Sequence, residues 1–111
     1  MKIYGIPNCG SVKKALDFVR SAGIEFEFID FKKQKPTAPQ VERWASAVTM
    51  DKLFNTKGTK YKGTGLDYKT LSNSERIEWL TKEPTMIKRP VIEHNDKVIV
   101  GFNEDIYKKD F

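Results

Sequence analysis

Between two short apolar runs, Ile3 with Tyr4 and Ile24 with Phe26 and Phe28, the chain carries Val12, Ala15, Leu16 and Val19 at i, i+3, i+4 and i+7. That spacing lines four apolar side chains along one stripe of an α-helix. Gly23 supplies a left-handed stop for it. The first run ends at the turn residues Pro7, Asn8 and Gly10, so Lys2 to Gly5 reads as a short strand feeding a tight loop. Ile24, Phe26 and Phe28 alternate with Glu25 and Glu27, which sends apolar groups to one face of a strand and carboxylates to the other. Strands separated by a helix of about a dozen residues pair in parallel with a right-handed crossover. The first third of the chain is therefore expected to be βαβ.

The remainder follows the same logic. After the polar stretch Lys32 to Lys35, Thr37 can cap a helix over 38–48 carrying Val41, Trp44, Ala45 and Val48 on one face. From Asn55 to Lys69 the apolar periodicity disappears among glycines and lysines, which predicts a loop, mobile when the site is empty. Ser72 and Glu75 match a capping box for a helix with Ile77 and Leu80 on one face, ended by Pro84. Val91 with Ile92, and Val98 to Val100, bracket the turn residues Asn95 and Asp96 and read as a β-hairpin. Asn103 can cap a last short helix with Ile106 and Tyr107. The expected fold is α/β, one thioredoxin-like domain over 1–111, with a helical insertion at about 37–83 between the βαβ and ββα halves.

Composition narrows the function classes. A chain of 111 residues that is 39% hydrophobic and 32% charged can bury one core and is not of disordered type. No run approaches the roughly 20 apolar residues of a membrane span, and the first residues lack the apolar core of a secretion signal. The expected compartment is the cytoplasm, with no membrane partner. One cysteine cannot form an internal disulfide, so Cys9 is either structural or chemical. The net charge of +5 is spread along the chain rather than gathered in a stripe, which argues for solubility and against nucleic acid.

Cys9 lies between the first strand and the first helix, where unpaired backbone amides and the helix dipole stabilise an anion. Lys13 and Lys14 add positive potential one turn further on, or are simply solvated. His94, the one histidine, falls in the hairpin turn and reads as a surface residue rather than a general base. Trp44 and Trp79 fit helix packing. One cysteine and one distant histidine offer too few ligands for a metal.

Four segments carry a resemblance: Tyr4 to Ala15 (YGIPNCGSVKKA), Phe54 to Thr59 (FNTKGT), Pro84 to Val91 (PTMIKRPV) and Val100 to Phe102 (VGF). The chain resembles the arsenate reductase-like (ArsC/Spx) family, particularly its YffB branch, over nearly its full length. The resemblance implies a nucleophilic Cys9, an oxyanion-binding Arg89 and a cis Pro90, with Asn8, Gly10, Ser11, Lys13 and Lys57 around the substrate. The arsenate-reducing members use three arginines, whereas this chain has Lys57 at the first matching position and no arginine beyond Arg89. Lysine supplies charge without the bidentate fork. Val12 also occupies the second cysteine position of a CxxC motif, so any mixed disulfide needs an outside thiol to resolve it. The resemblance thus implies a glutathione-dependent monothiol oxidoreductase, with glutathione as co-substrate, no bound cofactor, and glutathione or a glutaredoxin-like thiol donor as partner. Arsenate reduction is the runner-up. An Spx-type regulator that binds RNA polymerase is the third reading, disfavoured by the missing CxxC switch.

Overall fold

The computed structural model describes residues 1–111, which fall into two compact units, Met1–Lys33 with Arg89–Phe111, and Gln34–Lys88. In the first unit, strand β1 (Lys2–Gly5) runs into helix α1 (Gly10–Ser21) and then strand β2 (Glu27–Asp30). The two strands pair in parallel, Ile3 opposite Phe28 and Tyr4 opposite Ile29. All four residues of the apolar stripe, Val12, Ala15, Leu16 and Val19, are buried. Gly23 takes φ +71° and closes the helix by donating to the Arg20 carbonyl, a conformation that suits a residue without Cβ. β2 starts later than the alternation predicts. Ile24 spends its N–H on the Val19 carbonyl at the helix end, and the ladder opens only where Glu27 donates to the Met1 carbonyl.

The hairpin forms as expected, with strands β3 (Val91–His94) and β4 (Lys97–Val100). Asn95 and Asp96, at φ +49° and +64°, both take the left-handed conformation that a two-residue hairpin turn requires. β3 also pairs antiparallel with β1, giving the sheet order β2-β1-β3-β4. Asn103 caps the final helix, which is labelled α6 (Glu104–Asp110) because four helices of the other unit precede it, by accepting the Ile106 N–H at 3.1 Å. Ile3, Val12, Ala15, Leu16, Val19, Ile92, Ile99 and Tyr107 form the core of this unit. Ile106 is 42% exposed, because successive residues of a helix point about 100° apart and Tyr107 takes the inward position.

The helical unit holds those four helices. α2 (Ala38–Val48) begins at a capping box between Thr37 and Gln40 and buries Val41 and Trp44. α3 (Met50–Leu53) follows at once, after Thr49 at φ +83°. α5 (Asn73–Lys82) begins at the Ser72–Glu75 capping box, buries Ile77 and Leu80, and packs on α2. Pro84 stands at the start of a 3-10 turn, Pro84–Met86, that follows it. The stretch predicted as a loop is in part helical: it contains α4 (Thr59–Thr64) and most of a 3-10 turn, Tyr68–Thr70. α4 buries none of its residues, so it leaves no apolar period to read. It is held instead by Gly65 at φ +73° and by the edges of Tyr61 and Tyr68 against Phe54, at 5.7 and 5.1 Å. A short antiparallel link at Phe54 and Ile87, with Lys88 donating to Leu53 at 2.7 Å, was not legible from the sequence.

Candidate active site

The site begins with a close approach. An ideal Cβ on Gly5 would lie 2.7 Å from Val12 Cγ2, so the end of β1 can sit against the first turn of α1 only because residue 5 has no side chain. The connection is then short. Cys9 donates its N–H to the Ile6 carbonyl at 3.2 Å, closing the turn, and its own carbonyl accepts the Lys13 N–H at 3.0 Å. Cys9 is thereby the N-cap of α1, in extended conformation at φ −86° and ψ 129°. No acidic residue lies in the first turn to oppose a second anion.

The thiol of Cys9 is free and half-buried. Its side chain closes no capping hydrogen bond, yet its surroundings favour the anion. Burial pushes the thiol up, but the Val12 backbone amide, the charge of Arg89, the Ser11 backbone amide and a hydrogen bond from Arg89 outweigh it. The net result is a thiol held below its ordinary pKa. The helix start and one arginine thus do together what neither lysine does. Lys13 and Lys14 are exposed and do not figure among the groups acting on the thiol.

Arg89 is half-buried, with its Nε shielded from solvent. The Arg89–Pro90 peptide bond is cis. Pro90 is buried, and its carbonyl accepts the Gly101 N–H at 2.8 Å. Asn8, Gly10 and Ser11 are exposed around the thiol-bearing turn, and an ideal Cβ at Gly10 would meet nothing within 4 Å. Lys57 belongs to the helical unit, exposed on the turn before α4, where its N–H is held by Asn55 Oδ1 at 3.3 Å. Arg89 is brought to Cys9 from 80 residues away in sequence.

Three contributions to the site were not read from the sequence. Val12 reads as a core residue, and its side chain is one, but its backbone amide serves the thiolate. Position within the first turn of a helix is the signal that could have found it. Gly5 gave no local sign of its contact with Val12, and Gly101 none of its bond to Pro90. His94 ends β3 with its ring edge-on to Phe111 at 5.5 Å, and Trp44 is fully buried. No group of three or more His, Cys, Asp and Glu side chains is placed to hold a metal, and no helix is long and apolar enough to cross a membrane.

A parallel βαβ unit continued by an antiparallel hairpin and a last helix, with the thiol at the first helix start, defines a thioredoxin-like thiol protein. The ArsC family profile matches residues 4–109, and the chain belongs to that family. The solved structure of the YFFB protein superposes with a TM-score of 0.89 at 30% identity, covering 97% of this chain and 96% of that one. Among curated relatives, the uncharacterized protein YusI of Bacillus subtilis is 31% identical over 100% of this chain and 98% of its own. The regulatory protein MgsR of the same organism is 25% identical over 93% and 83%. The arsenate reductase of Rhizobium meliloti is 29% identical over 81% of this chain and 66% of its own.

Proposed function

We propose that this protein is a cytoplasmic, glutathione-dependent monothiol reductase whose nucleophile is Cys9. The observation that carries the reading is the setting of the only cysteine, where two helix amides and Arg89 favour the thiolate and no second thiol exists to resolve it. The thiolate attacks the glutathionyl sulfur of a mixed disulfide, the S–S bond breaks, and the first thiol leaves as a thiolate that takes a proton from water. Cys9 now carries glutathione. The thiolate of a second glutathione, or of a glutaredoxin-like donor, attacks that glutathionyl sulfur and supplies the two electrons. Oxidised donor departs and the Cys9 thiolate returns.

Arg89 stabilises the attacking thiolate and presents a planar fork to a carboxylate of the tripeptide. Asn8, Gly10, Ser11 and Pro90 would border the bound sulfur, with Gly10 leaving the approach open. Lys57 and Lys62, with Lys60 paired to Glu83 at 3.6 Å, contribute to a net charge of +5 that favours encounter with an anionic co-substrate.

The Rhizobium meliloti relative favours arsenate reduction as a second reading. One arginine and a lysine make a poorer tetrahedral oxyanion site than three bidentate donors. The relation to the regulatory protein MgsR favours a regulatory reading, here that of an Spx-type protein that binds RNA polymerase rather than turning over a substrate. A turnover panel separates the three. Cys9-dependent reduction of a glutathionylated peptide, with weak or absent arsenate turnover, is the expected result. Efficient arsenate reduction without activity on the disulfide reverses the ranking, and inactivity on both with binding to the polymerase alpha subunit selects the regulator.

A further inference from the structure

Behind Arg89 lies a line of hydrogen bonds that reaches the last helix. Tyr107 of α6 is fully buried, with its ring among Phe18, Phe102 and Phe111 at 5.5, 5.1 and 5.1 Å. A phenylalanine would fill that space equally well, so the hydroxyl has a separate task. It donates to the carbonyl of Gly101 at 2.7 Å. Gly101 stands just beyond β4 at φ +82°, and without a Cβ its two flanking peptide planes turn freely unless something holds them. Its N–H, on the other plane, donates to the Pro90 carbonyl at 2.8 Å and adds one rung to the β3–β4 ladder beyond Val91 and Val100. Pro90 is the residue that follows Arg89. With one plane pinned by Tyr107 and the other by Pro90, the backbone from which the Arg89 side chain departs is fixed from behind.

The geometry points to Tyr107 as a positioning residue for the Cys9–Arg89 pair, acting through Gly101 and Pro90. The inference rests on the reading of Arg89 as the charged partner of the thiolate. The groups that act on Cys9 are the Ser11 and Val12 amides of α1 and the Arg89 guanidinium ahead of β3, while Lys13 and Lys14 are exposed and take no part. Loosening Gly101 therefore reaches the thiol through Arg89.

The test is the pH profile of Cys9 alkylation by iodoacetamide in the full chain, for wild type, Tyr107→Phe, Arg89→Ala, the double variant and Phe102→Leu. This readout needs no disulfide substrate, and thermal unfolding run alongside confirms that each variant is folded at the assay temperature. Tyr107→Phe is expected to move the inflection up by about half a pH unit, roughly threefold less thiolate below the inflection. Arg89→Ala should move it at least as far, and the double variant should match Arg89→Ala alone. Phe102→Leu removes a ring contact of Tyr107 while keeping the hydroxyl, and should lose stability without moving the inflection. An unmoved inflection in Tyr107→Phe, with a shift in Arg89→Ala, overturns the relay and leaves the Arg89 reading intact. No shift in Arg89→Ala defeats both. Additive shifts in the double variant, or an equal shift in Phe102→Leu, overturn the relay in favour of general loosening.

Discussion

Gly5→Ala tests how the strand end and the helix start are fitted together. The new methyl would lie 2.7 Å from Val12 Cγ2, 3.5 Å from Cγ1 and 3.7 Å from Cβ. Carbon atoms in good contact stand roughly 3.5–4.0 Å apart, so the nearest pair must separate by about 1 Å. Val12 has little room to yield: it is fully buried, and its β-branched side chain keeps one strongly preferred rotamer in a helix. Overpacking of this kind costs about 1–3 kcal/mol. The first turn of α1 must move in response, and with it the Val12 amide that favours the Cys9 anion. The thiol inflection should therefore rise as stability falls. Val12→Ala alone removes two buried methyls at a cost of about 2 kcal/mol, but it also removes the atoms the new methyl strikes. The double variant should accordingly be at least about 1 kcal/mol more stable than the sum of the single costs. Urea denaturation of the four proteins gives the cycle. Additive costs, or a Gly5→Ala midpoint equal to wild type, would refute the close-approach argument.

Three further outcomes follow from other parts of the chain. Thr49 holds φ +83° and ψ 147°, a region that a β-branched residue enters only under strain, so Thr49→Gly should stabilise the protein by about 1 kcal/mol, read as a higher unfolding midpoint. Thr37→Ala removes the hydroxyl that accepts the Gln40 N–H at the start of α2 and should cost about 1 kcal/mol by the same assay. Burial holds the Tyr107 hydroxyl above the ordinary phenol range, so above about pH 10 the unfolded chain gives up its proton while the folded chain keeps it. Stability from this group is complete below that pH and declines as pH rises toward the folded-state value. Tyr107→Phe should flatten the alkaline loss, and an unchanged slope in denaturation at pH 9–11 would count against the assignment.

Much of the fold was legible because it rests on local signals that agree with each other. The i, i+3, i+4, i+7 stripe of α1, the Ser72–Glu75 and Thr37 caps, and the Asn95–Asp96 turn each carry their conformation in a few adjacent residues. α4 was not legible, since it buries nothing and is held through its own Tyr61 against Phe54, which also meets Tyr68, both of them outside its span. The late start of β2 was missed because alternation at Ile24 and Phe26 marks apolar contact, not ladder hydrogen bonds. Within the site, Cys9 announced itself by its place before a helix. Arg89 could be set beside it only through a family resemblance, because its partner lies far off in sequence and the bond depends on how β3 is registered against β1. Backbone donors such as the Val12 amide carry no side-chain signature at all.

The central claim is that the Cys9 thiolate is the nucleophile toward a glutathione-bearing disulfide. The most direct measurement is intact-mass spectrometry of the protein after exposure to oxidised glutathione, before and after reduced glutathione is added. The account predicts one glutathione adduct at Cys9, forming more slowly in Arg89→Ala, absent in Cys9→Ser and fully removed by the added thiol. A wild-type protein that forms no adduct while its thiol remains open to alkylation would contradict it.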